Sequence, residues 1–96
     1  DIDDLRESPA LKVMRSLLTH GAHIEYHDPY VPELAEFGLL SVDDISGRAL
    51  AAYDAVVIVT AHSGIDYRGV VAAAPLVVDL RNATAGIPAR GTVWKL

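Results

Sequence analysis

At 96 residues the chain is long enough for one domain and too short for two, since domains cluster around 100–150 residues. Its 51% hydrophobic content supports a core, while a formal charge of −5 with eight Lys and Arg scattered singly excludes tracking a nucleic acid. The absence of cysteine excludes disulfides, thiolate metal sites and a cysteine nucleophile, and no apolar run exceeds the length of 55–59, far short of the roughly 20 residues that span a bilayer.

In chain order, Ala10, Val13, Met14, Leu17 and Leu18 recur at three and four, which predicts a helix over 9–20. Ser8 is the expected N-cap, Pro9 suits the first turn, and Gly21 supplies the left-handed stop. Period-two alternation over 22–27 predicts a strand, ended by the turn Asp28-Pro29. A short helix is expected over 32–37, stopped at Gly38, and a second over 42–50 with Ser41 as its cap. Residues 54–60 are continuously apolar and β-branched in the middle, the pattern of a central parallel strand covered on both faces. Asp66 caps a helix that Pro75 ends; 76–79 is the next strand and 92–96 a final edge strand. Helix and strand alternate throughout. This argues for an α/β sandwich with a mainly parallel sheet.

Ligands in such folds bind beyond the carboxyl ends of the strands. Those ends are His27-Asp28-Pro29, Thr60-Ala61-His62-Ser63 and Asp79-Leu80-Arg81-Asn82, joined by Arg6-Glu7-Ser8 at the start of the first helix, where a phosphate would meet free N–H groups and a guanidinium. The bland readings stand beside these. Arg6 with Asp3, Asp4 and Glu7 also reads as a solvated charge cluster. His23, Glu25 and His27 share a strand face, but three ligands on one strand rarely close a tetrahedron, so no metal is expected. His62 reads as a hydrogen-bonded loop residue rather than a general base, because no activatable Ser or Cys accompanies it. Asp28 and Asp79 are expected to cap neighbouring N–H groups, and Trp94 to pack. No glycine spacing matches a dinucleotide turn or a Walker loop, so the chain is not expected to bind NAD in the Rossmann manner.

The segment Asp3-Asp4-Leu5-Arg6-Glu7-Ser8-Pro9-Ala10, with Tyr26-His27-Asp28-Pro29-Tyr30, Thr60-Ala61-His62 and Val78-Asp79-Leu80-Arg81-Asn82, resembles the UDP-glucose/GDP-mannose dehydrogenase family over nearly the whole chain. The resemblance implies that 1–96 is a C-terminal, UDP-binding domain with a Rossmann-like three-layer sandwich. The family's first strand, which ends in a Lys before the Asp-Arg-Glu-Ser segment, is missing here, and a sheet short of that strand would have an exposed edge. It further implies substrate contacts by Arg6, Ser8 and Arg81, with no catalytic, cofactor or metal ligand in this chain. NAD and the catalytic cysteine would belong to N-terminal and central domains, so the chain alone would be inactive. The whole is expected to be a cytoplasmic homo-oligomer of polysaccharide biosynthesis, oxidising the sugar C6 alcohol to a carboxylate. The form Arg-Glu-Ser-Pro-Ala with His-Asp-Pro-Tyr-Val-Pro-Glu and the Asp66-Tyr67 pair after the His62 loop looks most like the UDP-N-acetylhexosamine branch, UDP-glucose being the alternative. Two other readings remain: an assembly module of the same enzyme, and a stand-alone nucleotide-binding regulator.

Overall fold

The computed structural model describes residues 9–88 and 92–95, which fall into two compact units that meet in sequence between Asp43 and Asp44. It is an α/β structure with a parallel three-stranded sheet.

The first unit begins with helix α1, Ala10–Thr19, entered through Pro9. The Pro9 carbonyl accepts from the N–H groups of Lys12 and Val13. Ser8, expected to cap it, lies outside the described residues. At the other end Gly21 is left-handed, with φ of 87°, and the Gly21 and Ala22 N–H groups close on the carbonyls of Leu18 and Leu17. The expected helix and its stop are both found.

Three expectations in this unit and just after it are overturned. Residues 22–27 carry no ladder among the described residues; instead the Tyr26 carbonyl accepts from Val42 N–H, and the Tyr26 hydroxyl donates to the Val31 carbonyl at 2.7 Å. Where a short helix was expected at 32–37, strand β1, Glu33–Leu34, pairs antiparallel with β2, Leu39–Leu40. Gly38 at φ of 66° closes the four-residue loop of a hairpin instead. Ser41 caps no helix: its Oγ accepts from Asp28 N–H at 2.9 Å. Arg15 on α1 reaches the hairpin loop, pairing with Glu36 and lying 5.7 Å from the centre of the Phe37 ring.

In the second unit the helix expected at 42–50 shrinks to α2, Gly47–Leu50, whose N-cap is Ser46. The Ser46 Oγ accepts from Ala49 N–H, and Asp44 accepts from Ser46 N–H. Two local acceptors in succession favour a late start over a helix through Asp43 and Asp44. Strand β3, Val56–Ile58, is followed by α3, Tyr67–Ala73, then β4, Val77–Asp79, and finally β5, Val93–Lys95. Asp66 caps α3 through Gly69 N–H, as its sequence position implies. The helix ends where Ala74 turns extended before Pro75.

The sheet order is β3-β4-β5, all parallel, in the register Val56↔Val77↔Val93. Among the described residues β4, not β3, is therefore the central strand. The apolar run at 54–60 marks β3 as a parallel strand, but burial of a run does not fix its rank in the sheet. Leu50, Ile58, Val70, Ala74 and Val77 form the core of this unit, Val77 being fully buried. Trp94, expected to pack, is 65% exposed. It alternates with half-buried Val93 and so points to the other face of β5.

Core and surface leucines should separate cleanly under mutation. Leu50→Ala should lower stability by about 2–5 kcal/mol, while Leu40→Ala, at a side chain 68% exposed, should change it by less than about 0.5 kcal/mol. Urea denaturation followed by circular dichroism reads both. Equal midpoints for the two variants would contradict this core.

Candidate functional site

Parallel β3 and β4 end side by side, the last ladder bond running from Leu80 N–H to the Ile58 carbonyl at 3.0 Å. Two loops leave from there. Both have a buried polar floor: Thr60 and His62 after β3, Asp79 and Thr84 at and after β4. Polar groups removed from water must find partners within the protein.

The clearest case is Asp79, which is 1% exposed. Its Oδ1 accepts from the N–H groups of Arg81, at 3.0 Å, and Ala83, at 3.1 Å. Its Oδ2 accepts from Thr84 N–H at 2.8 Å and from the Thr84 hydroxyl at 2.6 Å. Four donors thus occupy the roughly four acceptor sites of a carboxylate. Burial alone would raise the carboxyl's pKa, but the bonds from the Thr84 hydroxyl, Thr84 N–H, Arg81 N–H and Ala83 N–H outweigh it and hold the pKa below its ordinary value. The loop so fixed contains Asn82 in the left-handed region, φ of 57°, a conformation Asn tolerates better than most residues. Arg81 and Asn82 are exposed above this floor.

In the neighbouring loop, His62 is 4% exposed. Its Nε2 lies 3.1 Å from the Thr60 hydroxyl, and its N–H donates to the Tyr67 hydroxyl at 2.9 Å. The first turn of α3 thereby ties down the β3 loop. His62 is a hydrogen-bonded loop residue, as expected. The loop holds a single glycine, Gly64, and so lacks the G-x-G-x-x-G turn that lets a backbone approach a pyrophosphate.

In the other unit, Asp28 is 1% exposed and its Oδ1 accepts from Tyr30 N–H at 2.8 Å. Asp28 and Asp79 both cap loop N–H groups, in line with the sequence. The Tyr26 hydroxyl is pushed above its ordinary pKa, chiefly by burial and then by Asp28 and Glu33. His27 turns Nδ1–H to the Val42 carbonyl at 2.6 Å, and His23 is exposed. Among the described residues no three His, Asp or Glu side chains are grouped to hold a metal ion. Of the three residues expected to touch substrate, Arg81 stands at the rim of β4, while Arg6 and Ser8 lie outside the described residues.

Sequence reasoning passed over Thr84 and Tyr67. A signal for Thr84 existed: a Thr five positions after a strand-end Asp, with Asn between, is a side chain positioned to close an Asx-type turn. Tyr67 gave none, because nothing in its spacing tells which backbone group its hydroxyl will meet.

The family model described as UDP-glucose/GDP-mannose dehydrogenase family, UDP binding domain, matches residues 1–86. The chain belongs to that family. It is 35% identical over 101 residues to UDP-glucose 6-dehydrogenase of Pseudomonas aeruginosa, an alignment covering 92% of this chain and 22% of the relative. The chain thus spans about a fifth of the length of that curated relative. No solved structure matches it. No helix among the described residues of this UDP-binding domain is long and apolar enough to cross a membrane.

The Asp79 clasp makes stability depend on pH with a definite sign. Because the folded carboxyl has the lower pKa, its contribution is full above the unfolded value, about 4, and is lost as pH falls through the folded value. Asp79→Asn should cost about 1.5–3 kcal/mol near pH 7, since the amide nitrogen cannot accept from Thr84. The gap between parent and variant should close as pH drops below about 4. Thermal melts from pH 7 to pH 3 check this, and a gap constant across that range would refute it.

Proposed function

We propose that this chain holds the UDP portion of a UDP-sugar as the C-terminal domain of an NAD-dependent nucleotide-sugar 6-dehydrogenase, a larger protein that oxidises the sugar C6 alcohol to a carboxylate. The reading rests on one observation. In a member of a family of UDP-binding domains, Arg81 is exposed at the carboxyl rim of the parallel sheet, on a backbone pinned by the carboxylate of Asp79. That rim is where open α/β sheets bind ligands. A guanidinium there offers a planar fork of donors to phosphate oxygens. Arg6 and Ser8, which precede α1 in sequence, are the other proposed contacts, and a helix N-terminus suits a phosphate. NAD and the nucleophile belong, in this proposal, to other domains of a cytoplasmic homo-oligomer.

For the sugar, the name of the Pseudomonas relative supports UDP-glucose, while the Arg-Glu-Ser-Pro-Ala and His-Asp-Pro-Tyr-Val-Pro-Glu segments support a UDP-N-acetylhexosamine. A second reading is that the domain serves chiefly in subunit assembly, since a fold by itself does not fix a function.

Expressed from its complete reading frame, the protein should bind UDP saturably, and Arg81→Ala should weaken that binding by about 1.5–3 kcal/mol. Arg81→Lys should restore only part of it, a point charge lacking the fork. Calorimetric titration with UDP reads the affinities, and NADH formation with UDP-glucose against UDP-N-acetylglucosamine assigns the sugar. Unchanged UDP affinity in Arg81→Ala would remove this residue from the site. An absence of saturable UDP binding in the parent would favour the assembly reading.

A further inference from the structure

Between Asp79 and Thr84 the chain makes a turn whose shape is dictated from inside. The carboxylate of Asp79 gathers four donors from three residues, the N–H of Arg81, the N–H of Ala83, and both the N–H and hydroxyl of Thr84. The anchor residues are buried while the two residues at the crest, Arg81 and Asn82, are exposed. Asn82 sits at φ of 57°, a left-handed conformation that Asn accepts more readily than most residues. A further turn, in which Ala85 N–H meets the Asn82 carbonyl at 3.3 Å and Ile87 N–H the Thr84 carbonyl at 3.1 Å, continues from it. The shortest of all these bonds joins two side chains, the Thr84 hydroxyl and Asp79 Oδ2, at 2.6 Å. Neither side chain reaches the surface.

We infer that Thr84 is a positioning residue for nucleotide binding: through Asp79 it fixes the backbone of Arg81, so that the guanidinium meets the diphosphate without first being ordered. The inference rests on the reading that Arg81 contacts the nucleotide. Its physical basis is preorganisation. A long side chain on a loose turn loses backbone as well as rotamer freedom when it binds, whereas on a clasped turn the backbone part has already been lost in folding. The hydroxyl is the replaceable part of the clasp. Thr84 N–H reaches Oδ2 whatever the side chain, so removing the hydroxyl leaves the carboxylate three donors and the turn a looser hold.

The test is a double-mutant cycle in the protein expressed from its complete reading frame, with UDP as the probe and calorimetry as the readout. Thr84→Val, which keeps the shape and removes the hydroxyl, should weaken UDP binding roughly three- to tenfold, about the net worth of one neutral hydrogen bond. Thr84→Ser should bind as the parent does. In the Arg81→Ala background the same Thr84→Val change should alter affinity by less than about twofold, because a residue that acts through Arg81 has nothing left to position. Thr84→Ala removes the same hydroxyl without a second methyl beside the carboxylate. It carries the same expectation and stands in if Thr84→Val does not fold. A lowered thermal midpoint with unchanged affinity, or losses that simply add in the double variant, would overturn the positioning role while leaving Arg81 in the site. An Arg81→Ala protein with parental affinity would overturn both readings together.

Discussion

Taking the Asp79 carboxylate out of water costs free energy that only well-made hydrogen bonds can offset. The four donors that do so come from Arg81, Ala83 and Thr84, all within five positions of it in sequence. The chain must therefore fold back on itself immediately after β4, and the direction in which Arg81 leaves the sheet follows from that requirement. Because Val77 on the same strand is fully buried in the core with Ile58, Leu50, Val70 and Ala74, the clasp is anchored to the most firmly packed strand of its unit. Apolar burial places the carboxylate, and the carboxylate shapes the rim.

The first unit uses the same device with different parts. Asp28 is as buried as Asp79, and it too caps the N–H two residues ahead, while its own N–H is taken by the hydroxyl of Ser41. Together with the Tyr26 hydroxyl on the Val31 carbonyl, this ties the Asp-Pro-Tyr-Val turn to the return strand of the hairpin. In both units a short polar side chain does what a longer run of secondary structure would do elsewhere. Strands of two or three residues leave many backbone groups to satisfy, and buried Asp, Ser, Thr and Tyr supply the partners.

The features legible in the sequence were those set by local rules. Helix α1 followed from its apolar spacing and Gly21, α3 from Asp66 and Pro75, and β3, β4 and β5 from short apolar runs between turn residues. Fold class, the capping roles of Asp28 and Asp79, and the exposed position of Arg81 all came within reach. What local rules could not supply was pairing. Residues 22–27 alternate as a strand should, yet a strand exists only with a partner, and none is found among the described residues. Residues 32–37 carry helix-compatible side chains, but their hydrogen bonds close a hairpin. The same blindness hid Thr84 and Tyr67, whose hydroxyls matter because of what the turn brings to them.

The registers of the parallel sheet also bear on how it assembles. Paired residues of β3 and β4 are separated by 21 positions along the chain and those of β4 and β5 by 16, so by the logarithmic dependence of loop closure on length the two pairings differ in chain entropy by only about a few tenths of a kcal/mol. Connectivity thus gives neither pairing a head start. The order of events is left to side-chain chemistry, and there the two connections are unlike: α3 between β3 and β4 brings Val70 and Ala74 onto the sheet, while the connection to β5 begins with the turn held by Asp79. Both closures bury apolar side chains, Ala83 and Val93 in the second case, but only the second also carries a carboxylate clasp, so acid should act on it separately during refolding.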